Sequence, residues 1–351
     1  MMVQLFFFPL LVSLFFLTDQ DRFVPREKLS EYNFFHGSMA ELQPAAGVYP
    51  YTINTPLFSN YAEKIRFFRV PAGQKVIYRD SGVFEFPEGT ILIKNFYYPS
   101  DFRNPEKGKI ILETRLLVHE EEGWQGYPYI WNEAQTEAHY DPAGETREVK
   151  YINASGRKVT TPYLIPNKNQ CKGCHLSGDK LIPLGPSAWQ MNTKVESGEK
   201  NQLQFWHDQG VLDDGPEKGI PAVVWDDPST GNLNDRARAY LDANCAHCHS
   251  RKGSANTSGL YLDIYENDLA HLGVFKSPVA AGRGSGNMKF DIVPGEPKKS
   301  ILIYRMHTND PAIAMPEIGR EQIHKEGVAL IEEWIRTHTF SDNQQHDRRG
   351  K

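Results

Sequence analysis

The 351-residue chain contains four cysteines, and their placement constrains it more than any other feature. They read Cys171-Lys172-Gly173-Cys174-His175 and Cys245-Ala246-His247-Cys248-His249. Each pair leaves two residues between its thiols, the spacing of one turn, and each is followed at once by an imidazole. C-x-x-C-H is the attachment signature of a c-type haem. The two thiols add across the two vinyl groups of one porphyrin, and the following histidine reaches the iron as the proximal ligand. The expectation is therefore two covalently bound c-type haems, held by Cys171, Cys174, Cys245 and Cys248, with His175 and His249 on the irons.

Other uses of the cysteines fit less well. A structural zinc site sets its C-x-x-C pairs in tandem at short spacing, whereas these begin at positions 171 and 245, 74 residues apart. A thioredoxin-like motif sits once, at a strand-to-helix turn, and requires no histidine. Structural disulfides are not closed twice across two residues.

Composition adds bounds. With 40% hydrophobic and 24% charged residues, 28 Gly and 23 Pro, the chain is ordinary globular protein. At about 150 residues per domain, two or three domains are expected. The net charge of −5 comes with no basic stripe, so nucleic acid is not an expected partner. Residues 5–17 (LFFFPLLVSLFFL) carry no charge. The run is too short to span a bilayer core of about 30 Å, and it reads as the apolar region of a signal peptide or as an N-terminal anchor. It lacks a preceding Lys or Arg and a small-x-small cleavage site. Either reading exports the chain, to the periplasm in a bacterium, with any membrane attachment confined to residues 1–20. No other stretch reaches 18 apolar residues.

The two motifs have different surroundings. Before the second, Leu233, Ala237, Tyr240, Leu241 and Asn244 recur at helical spacing, with Asn232 or Asn234 as cap. Val328, Leu330, Ile331, Trp334 and Ile335 predict an amphipathic helix near the end, and residues 300–306 (SILIYRM) a short one between. Three helices around one haem make residues 232–340 an all-α cytochrome c domain of class I type. Its sixth ligand is expected from the loop before the last helix. Met315, followed by Pro316, is the candidate; Met306 falls on an apolar face, Met288 follows a Gly-rich stretch, and His307 would give bis-His ligation. Met/His ligation raises the potential relative to bis-His. The Gly-rich AGRGSGN has no following Lys-Ser/Thr and is no phosphate loop.

Before the first motif, Pro166-Asn167-Lys168-Asn169-Gln170 leaves no room for an amphipathic helix. A possible helix runs through Trp189, Gln190 and Met191. Candidates for the sixth ligand of this haem are Met191, His119, His139 and His207, and a five-coordinate iron is a further option. Residues 166–231 are thus a haem-attachment segment without the frame of the second.

Upstream, residues 45–165 read as a β-rich domain, an antiparallel sandwich or barrel. Residues 63–70, 74–78, 83–86, 90–98 and 109–119 are rich in Ile, Val, Phe, Tyr and Thr, with turn clusters between them. Trp124, Tyr127, Tyr129 and Trp131 follow, better explained by sheet packing than by a ligand groove. The fold class expected is α+β and multidomain, closed by a polar tail at 341–351.

CKGCH with PLGP, then DANCAHCHS, DIVPGEPKKSILIYRM, DPAIAMPEIG and the closing EEWI resemble an uncharacterised bacterial family of exported two-haem c-type cytochromes. TILIKNFYYP and ETRLLVHEEEGWQGYPYIWNEAQTEA extend the resemblance upstream, so that it covers about residues 45 to 340. It implies covalent haem and electron transfer with periplasmic redox partner proteins, carried by Cys171, Cys174, His175, Cys245, Cys248, His249 and Met315. It implies no particular substrate. The competing expectation is a two-haem peroxidase or oxidase. Such peroxidases pair two helical cytochrome domains with motifs further apart, and the β-rich half weighs against them.

Overall fold

The computed structural model describes residues 23–340, apart from 196, 197, 199, 216–221 and 280. The apolar run at 5–17 and the tail at 341–351 lie outside the described residues. The architecture is mixed α+β: one six-stranded antiparallel sheet, a separate hairpin and a set of mostly short helices.

The sheet is a meander of β1 (Tyr49–Tyr51), β2 (Glu63–Arg69), β3 (Ile91–Pro99), β4 (Lys109–Glu120), β5 (Gly123–Trp131) and β6 (Ala138–Tyr140). Each strand pairs with the next, and β1 and β6 form its edges. The central strand β3 reads ILIKNFYYP, nearly continuous in apolar residues, because both of its faces are covered. A register shift at Phe96/Tyr97 against β4 bends it there. The hairpin of β7 (Glu145–Ile152) and β8 (Lys158–Ile165) forms its own two-stranded sheet. Residues 74–78 and 83–86, expected as strands, make isolated bridges only, Val76 to Leu212, Ile77 to Glu85 and Val83 to Ser187. Their apolar side chains, Val76, Phe84 and Phe86, are instead buried under helices from later in the chain.

One face of the sheet is closed by the segment before it. Leu29, Tyr32, Phe34, Phe35, Leu42 and Val48 pack on Phe67, Ile93, Leu116, Tyr129 and Trp131. The β-rich part therefore begins well before residue 45. That stretch holds short turns and a two-residue pairing of Phe35–His36 with Gln43–Pro44, and neither leaves a periodic sequence pattern. Trp124, Tyr127, Tyr129 and Trp131 are all buried, so the aromatic cluster is packing.

The opposite face is divided in three. At one end Phe68, Leu92 and Trp124 pack under α2 (Ala188–Met191) and α3 (Gln202–Asp208), with Met191 and Trp206. At the other, Phe96, Tyr98 and Ile130 pack against Val149, Tyr151, Tyr163 and Ile165 of the hairpin. Between them lies a charged strip, to which the C-x-x-C-H turns come close.

The C-terminal part has its own core, with Ala237, Tyr240, Leu241, Ile303, Met306, Val328, Ile331 and Trp334 at its centre. They come from α4 (Leu233–Leu241), α5 (Ile301–Met306) and α6 (Lys325–Thr337), the three helices the periodicity predicts. Asn232 caps α4 by accepting from the Asp235 amide at 3.0 Å, while Asn234 accepts from Trp334 Nε1 at 3.0 Å. At Gly327 a β-carbon would lie 2.2 Å from the Tyr240 hydroxyl, so α6 passes α4 at a distance that only glycine permits.

Residues 52–62 tie the two parts together. The Phe58 amide donates to Asn244 Oδ1 at 2.7 Å, Phe58 stacks on His324 with ring centroids 4.1 Å apart, and the side chain of Asn60 accepts from the amides of Glu321 and Gln322. Among the described residues no helix is long and apolar enough to cross a membrane.

Candidate cofactor site

The first motif is a single helical turn. The Asn167 side chain caps the short turn Lys168–Gln170, accepting from the Gln170 amide at 2.9 Å, and the chain runs directly into α1 (Cys171–His175). The second motif follows α4 through a wider turn, Asp242–Ala246, and the His249 amide bonds the Cys245 carbonyl at 2.8 Å. In both, residues i, i+3 and i+4 are the two cysteines and the histidine, so one face of each turn presents two thiols and an imidazole. All four cysteines are free and partly buried.

The two turns meet, although 74 residues separate Cys171 from Cys245. The Cys248 thiol donates to the Gly173 carbonyl at 3.5 Å, and the Gly178 amide bonds the Lys252 carbonyl at 2.8 Å. A β-carbon at Gly173 would lie 2.4 Å from Ile318 Cδ1, so the loop carrying Met315 also packs on the first turn. On its other side, a β-carbon at Gly126 of β5 would lie 3.0 Å from Cys171 Sγ, which seats the first motif on the sheet.

Both histidines are oriented through Nδ1. His175 Nδ1 lies 2.7 Å from the Ile182 carbonyl, and His249 Nδ1 lies 3.3 Å from Ser258 Oγ. A histidine held through one ring nitrogen presents the other as a lone-pair donor. Burial lowers each imidazole to about 4, with Lys94 and Arg115 adding to the effect at His175 and Arg305 at His249. Both rings are neutral at physiological pH. Burial pushes the Cys174 thiol up to about 11, with the Cys248 sulfur beside it, and Cys245 up to about 12.

Met315 is partly buried in a loop fixed at several points. Its amide donates to the Arg305 carbonyl at 3.0 Å, and Arg305 Nε donates to the Ile313 carbonyl at 2.9 Å. Arg320 ties the loop's far end to the C-terminal end of α5, donating to the Met306 and Thr308 carbonyls at 2.7 and 2.5 Å. The Met315–Pro316 peptide is cis. The charges of Arg305, Arg320 and Glu317 act on His249, Cys245 and Cys248 respectively, which places this loop beside the second motif. Of the other candidates there, Met306 is core, His307 is exposed and Met288 is partly buried.

The four candidates for the first site are scattered. Met191 is 1% exposed in the core under α2 and α3. His119 stacks on Trp124 at 4.6 Å and bonds the Phe86 carbonyl through Nδ1 at 2.8 Å. His139 is exposed on the edge strand β6, and His207 is exposed on α3 beside Asp208. A histidine outside that set is nearer. His247, inside the second motif, has a buried Nδ1 with no partner among the described residues, and its charge would act on His175. The sequence carries a signal for it, a second imidazole within C-A-H-C-H, but the motif counts only the residue after the second cysteine.

Burial raises the Asp242 carboxyl to about 7, with Asp263 adding to the rise, while the Ile264 amide at 2.8 Å and Arg238 oppose it. The folded chain therefore retains a proton that the unfolded chain releases above about pH 4. The stability this gives the protonated form is lost as pH climbs toward 7. The Asp242→Asn variant should melt together with the parent near pH 4 and at a higher temperature near pH 8. An identical loss of stability with pH in both proteins would contradict this.

Comparison with protein-family models, with curated proteins and with solved structures gave no match to the chain.

Proposed function

We propose that the protein is a two-haem c-type cytochrome that transfers electrons in the bacterial periplasm, of the family its motifs resemble. One observation carries this reading: two C-x-x-C-H turns, far apart in sequence, converge with each histidine held through Nδ1. The donor set fits the group. Each turn offers two free, protonated thiols to one porphyrin and a neutral imidazole to its iron. When bound, each haem supplies a one-electron Fe(III)/Fe(II) couple.

The chain's own part is to hold, orient and seclude these groups. Cys171, Cys174 and His175 serve the first, and Cys245, Cys248 and His249 the second. Met315 would supply the second protein ligand to the iron that His249 holds, from a loop that Arg305 and Arg320 keep in place. The helices around the second site are its cytochrome c domain. The sheet below the first site closes one side against water. Contact between the turns would set two haems, one on each turn, close enough for a relay to periplasmic redox partners.

A redox titration with spectra taken before and after peroxide tests this. Two low-spin haems, reversibly reduced and unaltered by peroxide, are expected. A five-coordinate haem that reacts with peroxide would make the protein a peroxidase or oxidase instead.

A further inference from the structure

The charged strip on the sheet has no purpose in the fold alone. Arg66 on β2 pairs in register with Lys94 on β3, and Lys94 with Arg115 on β4. Directly opposed residues share a face, so three cations stand in a row across adjacent strands. Lys64, two residues before Arg66, adds a fourth on the same face. Like charges opposed in this way destabilise a sheet, more so out of water.

Among the described residues the anion within the strip is Glu113, 0% exposed, and it is fully engaged. Arg115 grips it through two bonds of 2.7 and 2.6 Å, and the Tyr163 hydroxyl donates to it at 2.7 Å. Lys64 donates to the Leu57 carbonyl at 2.9 Å. Arg66 and Lys94 are left over. Arg66 is 9% exposed; its Nη1 donates to the Lys64 carbonyl at 3.5 Å, while its Nη2 is buried with no partner among the described residues. Lys94 makes no hydrogen bond or ion pair among the described residues, only a 4.9 Å approach to the Phe96 ring. Two cations with unused donors point to an anion that the chain does not supply.

The strip adjoins the first C-x-x-C-H turn. Gly126, against which Cys171 sits, opposes Leu117, and Leu117 is two residues from Arg115 on the same face. From β5 to β2 is three strand spacings, about 14 Å. A group attached at Cys171 and Cys174 and lying along this face would extend over the row.

We propose that Arg66 and Lys94, steadied by the Arg115–Glu113 pair, bind the propionate carboxylates of the haem held at Cys171 and Cys174. This rests on the two-haem reading. Each propionate brings the negative charge that the row lacks, and charge-assisted bonds to Arg and Lys are the strong class. The same contacts account for a cationic strip kept inside a protein of net charge −5.

The test uses the full chain matured with haem. In Arg66→Gln and Lys94→Gln, resonance Raman should show the propionate bending bands of one haem shifted, and a redox titration should show the midpoint of that haem lowered. Arg66→Lys and Lys94→Arg should stay close to the parent. Loss of the first haem from the glutamine variants, with its retention in the charge-conserving ones, would support the proposal equally. Unchanged propionate bands with both haems attached would overturn it, and so would a parent midpoint that shifts with added phosphate, since the row would then hold a free anion. A parent protein with no covalent haem would instead remove the two-haem reading beneath it.

Discussion

Cys245→Ala combined with Cys248→Ala is expected to yield a protein with one covalent haem in place of two. The remaining haem, at Cys171 and Cys174, should keep its spectrum, because its turn rests on β5 and its histidine on the Ile182 carbonyl, both outside the helical core. The helical core should suffer more. Cys245 packs against the cluster containing Tyr240, Leu241 and Trp334. Emptying a Phe- or Trp-sized core position costs about 3–5 kcal/mol, and a porphyrin is larger than either. A denaturant titration should therefore show the C-terminal part unfolding well before the sheet, in a transition absent from the parent. The reciprocal variant, Cys171→Ala with Cys174→Ala, should lose the other haem and keep the stability of the helices. Two haems retained in either variant would contradict the assignment of one haem to each turn.

Met315→Ala should abolish the methionine-to-iron charge-transfer band and lower the midpoint of the second haem, leaving the first unchanged. The effect should be large because the proposed thioether ligand would bond the iron directly, and its replacement by water or a stray nitrogen ligand would change both spin state and potential. Met315→His separates ligation from folding. It should remain low-spin, as a bis-His site, while still losing the band and still falling in potential. Both arms depend on the loop staying in place, and the Arg305 and Arg320 bonds that hold it run through backbone carbonyls and do not involve the Met315 side chain. An unchanged band in Met315→Ala would transfer the role to another side chain.

Much of this arrangement is written in local pattern. The two motifs, the three helices of the C-terminal part and the long strands β2, β3 and β4 follow from spacing and periodicity over short windows. Other features depend on partners distant in the chain. The charged row shows why. Arg66, Lys94 and Arg115 look like three unrelated surface cations until strand register aligns them, and register depends on pairing across three strands. The meeting of the two C-x-x-C-H turns is likewise a long-range contact, made where the Cys248 thiol reaches the Gly173 carbonyl and the Gly178 amide the Lys252 carbonyl. Residues 74–86 mislead for the opposite reason. Their local pattern suits strands, but the burial of Val76, Phe84 and Phe86 beneath α2 and α3 decides their conformation. The first site's four candidate ligands rest on residue type alone. Two of them, Met191 and His119, are already committed to packing or to a carbonyl, and His207 lies exposed beside Asp208.

The most direct measurement is the intact mass and thiol count of the protein made in a host that matures c-type cytochromes. The account predicts a chain heavier than its polypeptide by two haems, with haem that resists acid-acetone extraction and no titratable thiol at Cys171, Cys174, Cys245 or Cys248. A chain of unmodified mass with four reactive thiols would contradict it.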